Sequence, residues 1–140
     1  MYSNVLFAVD LDDEHSWKKA LPKAIELCGD GGNLHLLHVL PEFGLSMISQ
    51  YFPANFEQTT LTASKDALRA FIDQHVPKNV SSRAIVAQGR AYEQILRVAE
   101  EVGCDAIVMA AGNPDLAQYL LGPNAARVVR HATCSVLVVR

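Results

Sequence analysis

The chain is predicted to be a doubly wound α/β domain, and three observations carry that expectation. Five short apolar runs alternate with stretches whose apolar residues recur at helical spacing. The runs are continuously apolar, as in strands covered on both faces. Glycines punctuate the joints between runs and helices, as at Gly29-Asp30-Gly31-Gly32 and Gly89. Strands alternating with helices imply parallel pairing through right-handed crossovers, with helices on both faces of one sheet.

The first strand is expected at Asn4–Val9 and ends at Asp10. Asp12, Asp13 and Glu14 suit the approach to a helix start. Trp17, Ala20, Leu21, Ala24, Ile25 and Cys28 then mark the inward face of a first helix, with Pro22 expected to kink it. Leu34–Leu40 is the second strand. A second helix carries Leu61, Leu68, Phe71, Ile72 and His75 on or near one face, and Arg83–Ala87 is a short strand with polar flanks suited to a sheet edge. The third helix buries Tyr92, Ile95, Leu96, Ala99 and Val102, and Asp105–Ala110 is the fourth strand. The last helix turns Ala125, Val128, Val129 and Ala132 inward before the fifth strand, Ser135–Val139.

Bulk properties narrow the function classes. The 140 residues, half of them apolar, suit one domain spanning 1–140 with a substantial core. A net charge of −3 without a lysine-rich run argues against nucleic-acid binding, and no apolar run is long enough to span a membrane. The N-terminus lacks the marks of a signal peptide, so a cytoplasmic location is expected. Cys28, Cys104 and Cys134 are odd in number and widely spaced, match no zinc pattern, and suggest reduced, mostly buried thiols. His35 and His38 are three apart on one strand and so face opposite sides, which argues against a shared metal. No metal is required by the sequence.

A ligand site is expected where the strand order of such a sheet reverses. If strand one is central, Asp10 at its end and the glycine turn after strand four face one crevice. Gly112, nine intervening residues and Gly122 opening a helix form a unit whose backbone N–H groups can approach phosphate, and Asp10 can accept from a ribose hydroxyl or a base amine. The same acidic residues could belong to a phosphoacceptor receiver domain. That class needs an Asp after strand three and a Lys after strand five, where this chain has Ala87-Gln88 and Val138-Val139-Arg140. A flavodoxin would need a hydroxyl-rich loop where Leu11-Asp12-Asp13 stands.

Taken together, Val5–Asp10, Leu36–Val39, Gly89 with Ile95, Cys104–Met109 and the block Leu120–Val139 resemble the universal stress protein family over essentially the whole chain, in its small single-domain bacterial form. The resemblance implies a five-stranded parallel sheet in the order 3-2-1-4-5, helices on both faces, and ATP or a related adenine nucleotide held between strands one and four. Asp10 and Val39 match the adenosine-holding positions, and Gly112 and Gly122 match the second and third glycines of the nucleotide loop. Met109 stands at the first glycine and Pro123 where a hydroxyl residue follows the last. Pro123 lacks an N–H but suits the first position of a helix, leaving Asn124 and Ala125 as donors. The expected nucleotide-binding residues are thus Ala8, Val9, Asp10, Val39, Val108, Met109, Gly112, Gly122, Pro123, Asn124 and Ala125.

No catalytic constellation stands out, so a nucleotide-binding stress regulator is expected rather than an enzyme, with slow ATP hydrolysis at most. Strand five is an apolar edge with no charge before Arg140, so a homodimer paired through 135–139 is expected, as the resemblance also implies. The alternative is a nucleotide-independent homodimeric interaction protein that binds a protein partner through the aromatic loop 41–56, with Phe43, Tyr51 and Phe52.

Overall fold

The computed structural model describes residues 2–42, 56–112 and 122–140. The aromatic loop of the alternative reading lies almost wholly outside them, as do the nine residues between Gly112 and Gly122. The strands are β1 (Asn4–Ala8), β2 (Asn33–Leu40), β3 (Ser81–Gln88), β4 (Ala106–Ala110) and β5 (Ser135–Val139). The helices are α1 (Ala20–Cys28), α2 (Phe56–His75), α3 (Ala91–Val102) and α4 (Pro123–His131), with a 3-10 turn at Glu14–Ser16.

The sheet is parallel throughout and ordered β3-β2-β1-β4-β5, as the resemblance implies. The two-residue period of each strand divides its apolar run between two cores. Val5, Phe7, Leu34, Leu36, Ala106 and Val108 pack with Ala20, Leu21 and Ala24 of α1 and Leu68 and Phe71 of α2. Leu6, Leu37, Ile107 and Met109 pack on the other face with Ile95, Val98 and Ala99 of α3 and Ala125 and Val128 of α4. Leu68 is fully buried, and burial of that kind contributes about 1.5–3 kcal/mol per large aliphatic side chain.

Three local expectations are corrected. Trp17 lies outside α1, because the chain first makes the 3-10 turn; its ring instead packs edge-on against Phe71 at 5.0 Å and beside His75 at 4.7 Å. Pro22 is not inside a longer helix but is the third residue of α1, in the first turn, where a missing N–H is tolerated. Val129 turns outward at 47% exposure, and α4 buries only Ala125 and Val128. Asp13 caps as an acidic residue should, but it caps the 3-10 turn, accepting the His15 N–H at 3.0 Å.

Candidate ligand cleft at the strand switch

β1 and β4 are neighbours in the sheet, and the order reverses between them. Beyond their carboxyl ends opens a cleft of about 500 Å3, within the range of small-molecule sites. Ten of the eleven expected residues line it: Ala8, Val9, Asp10, Val39, Met109, Gly112, Gly122, Pro123, Asn124 and Ala125. Val108 does not. It is wholly buried in the opposite core, because strand alternation sends it away from Met109. Ala110, where the glycine turn begins, also lines it; Asp13, His15 and Ser16 at the 3-10 turn, Leu37, and Ala91 and Ile95 of α3 complete the wall and were not foreseen.

A small hydrogen-bond network fixes the Asp10 wall. Ser16 Oγ accepts the Asp10 N–H at 2.9 Å and lies 2.8 and 2.7 Å from the Asp10 and Asp13 carbonyl oxygens, donating to one at a time. Asp10 Oδ1 accepts the Asp12 N–H at 3.0 Å, one of about four acceptor positions of a carboxylate. Beneath, buried His38 holds the strand exit with Nδ1 at 3.1 Å from the Val9 carbonyl oxygen. His35 faces the other side of the sheet, 3.4 Å from Asn4 Oδ1; burial, and then the Arg83 charge, lower its pKa.

The opposite wall is the glycine neck. Gly112 has φ +110°, a conformation open to glycine, and the Gly122 N–H donates to the Ala111 carbonyl. A Cβ on Gly112 would lie 2.9 Å from the Gly122 Cα, and one on Gly122 would lie 3.1 Å from the Ala111 oxygen. Close backbone packing therefore requires both glycines. Gly122 also caps α4 without a side chain, Pro123 fills the first helical position, and Ala126 donates to the Gly122 carbonyl. The Asn124 and Ala125 N–H groups are left without intrahelical partners, at the positive end of the helix dipole.

The cleft thus has an apolar floor of Ala8, Leu37, Val39, Ile95 and Met109, two carboxylates on one wall and helix N–H groups on the other. No Lys or Arg is among its described lining residues. Arg127, on the polar side of α4, lies 4.8 Å over the Tyr92 ring instead. Among the described residues no group of three His, Cys, Asp or Glu is placed to hold a metal, and no helix is long and apolar enough to cross a membrane.

Fold and cleft together define a class, that of single-sheet α/β domains with a ligand-sized crevice at a β1/β4 switch. The chain belongs to the universal stress protein family, whose sequence pattern matches residues 1–140. It is 33% identical over 144 residues to universal stress protein G of Escherichia coli O157:H7, with both chains covered completely. A universal stress protein structure from Lactobacillus plantarum superposes with a TM-score of 0.77 at 22% identity, covering 99% of this chain and 98% of that one. A family structure from Arabidopsis thaliana, solved with AMP bound, gives 0.64 at 21% identity, covering 98% and 90%.

Proposed function

We propose that this protein is a stress-response regulator that binds an adenine nucleotide in the β1/β4 cleft, chiefly through the adenosine moiety. The observation that carries the reading is one crevice combining an apolar floor, the Asp10 carboxylate and two open N–H groups of α4. Leu37, Val39, Ile95 and Met109 offer an apolar seat for a purine, and Asp10 accepts from hydroxyl or amine donors. The AMP-bound relative of the same fold supports the ligand class. With no Lys or Arg among the described lining residues, further phosphates contribute little, because a helix N-terminus is worth only about 0.3–1 kcal/mol to an anion.

Titration calorimetry with AMP and with ATP tests the proposal. Both are expected to bind, with dissociation constants within about tenfold of each other, the factor equivalent to 1.4 kcal/mol. Absence of heat from either nucleotide at millimolar concentration overturns it. Pro123→Ser restores an N–H and adds a hydroxyl at the head of α4, and is expected to tighten ATP binding about 3- to 10-fold, the value of one added hydrogen bond. Unchanged affinity in that variant would show that the helix end does not touch phosphate.

A further inference from the structure

At the far end of the sheet from the cleft, two cysteines that are 30 residues apart in sequence come face to face. Cys104 precedes β4 and Cys134 precedes β5, and their Sγ atoms are 3.9 Å apart. The strands they lead into are paired neighbours, with Ala106 opposite Ser135. Adjacent strands lie about 4.8 Å apart, inside the roughly 4.4–6.8 Å Cα window that a disulfide needs. The sulfurs therefore need to close only from 3.9 Å to about 2.05 Å. Both thiols are half-buried and open onto a groove of about 430 Å3, whose wall includes Arg97, Glu100 and His131. Cys28 is different: it is the last residue of α1 and is enclosed in the core.

We infer that Cys104 and Cys134 are a redox-responsive dithiol, converted to an intramolecular disulfide by a low-molecular-weight disulfide oxidant that enters this groove. The Cys134 thiolate attacks one sulfur of the oxidant RSSR, forming a mixed disulfide and releasing RS⁻. Cys104 then gives up its proton and attacks Cys134 Sγ, expelling the second RS⁻. Two protein thiols and RSSR become one protein disulfide and two RSH, so the chain loses two electrons and two protons. The order of attack follows from the surroundings of Cys104, whose thiol pKa is pushed up to about 12 by burial first and by the neighbouring Cys134 next. The Cys134 charge and its hydrogen bond are both lost once that sulfur is in the mixed disulfide, which eases the second step.

The new bond would tie the entry of β4 to the entry of β5. It would close a ring containing β4, the glycine neck and α4.

The test is equilibration of the full chain with oxidised and reduced glutathione near neutral pH, alkylation under denaturing conditions, and tryptic mapping without reduction. Cleavage after Arg97, Arg127 and Arg130 separates Cys104, on 98–127, from Cys134, on 131–140, while Cys28 falls in 24–65. The expected result is a linked 98–127/131–140 pair about two mass units lighter than the sum of the peptides, from monomeric chains with Cys28 alkylated. In Cys134→Ser the linked pair is absent and Cys104 stays alkylatable. Recovery of Cys104 and Cys134 as free thiols or stable glutathione adducts overturns the inference. A bond to Cys28 or between two chains does so equally.

Discussion

Replacing Gly112 by alanine separates two costs that the glycine neck avoids. The residue sits at φ +110°, outside even the left-handed helical well, and holding a side chain in such a region costs about 1–3 kcal/mol. The added Cβ would also stand 2.9 Å from the Gly122 Cα and 3.1 Å from its nitrogen, both backbone atoms that cannot rotate away. Overpacking of this kind costs about 1–3 kcal/mol more. The expected loss is about 2–6 kcal/mol, a large share of the roughly 5–15 kcal/mol that holds a domain together. Gly103→Ala supplies the reference. Gly103 has φ +64° at the end of α3 and nothing within 4 Å of its added Cβ, so only the left-handed penalty of about 1–2 kcal/mol applies. Urea unfolding followed by Trp17 fluorescence measures both, since Trp17 is the single tryptophan and packs against Phe71 in the core. A Gly112→Ala loss no greater than that of Gly103→Ala would refute the argument that backbone contact, beyond φ alone, demands glycine in the neck.

Two further outcomes follow from the sheet and its termini. The Asp105 carboxylate accepts the Ser3 and Asn4 N–H groups at 2.9 Å each, and the Ser3 bond above all holds its pKa below the ordinary 3.8. Protonation therefore favours the unfolded chain: the stabilisation is complete above about pH 4 and is lost as pH falls through the folded-state value. Between about pH 5 and pH 2, Asp105→Asn should lose less stability on acidification than the parent; parallel acid profiles would contradict this. β5 is a sheet edge whose apolar residues Val136–Val139 are only half-buried, and we expect it to pair with the same strand of a second copy. Sedimentation at micromolar concentration should give a dimer, and a monomer there would count against the pairing.

Much of this architecture was legible because the strands carry apolar runs and several joints, at 29–32, 89, 103 and 112, carry a glycine. Asp10 and the Gly112–Gly122 spacing pointed to one crevice for the same reason: both lie where runs end, and the fold brings them to the same cleft. Val108 does not line the cleft because, within the strand, it alternates with Met109 and packs into the opposite core; the cleft opens only where β1 and β4 end, at Val9–Asp10 and Ala110. Asp13, His15 and Ser16 escaped notice because a 3-10 turn has no strong periodic signature and because Ser16 acts by folding back on Asp10. Trp17 and Val129 show the limit of counting apolar residues at helical spacing. One packs on a distant helix, and the other is exposed on a short helix that buries only two side chains. Ala91 and Ile95 reach the cleft from α3, a proximity that only the sheet order creates. The meeting of Cys104 with Cys134 has the same origin, in the pairing of β4 with β5.

The neck has a consequence for how such a domain can change. Nine residues separate Gly112 from Gly122, yet the backbones at their two ends are already in contact, one fixed by the sheet and the other by α4. The frame therefore does not register the length of what lies between. Doubling a loop whose ends are held together costs only about 0.6 kcal/mol. Insertions, deletions and wholesale replacement within 113–121 should leave the five strands and four helices in place. The neck works as a socket: stability is inherited from the scaffold whatever segment joins its two ends.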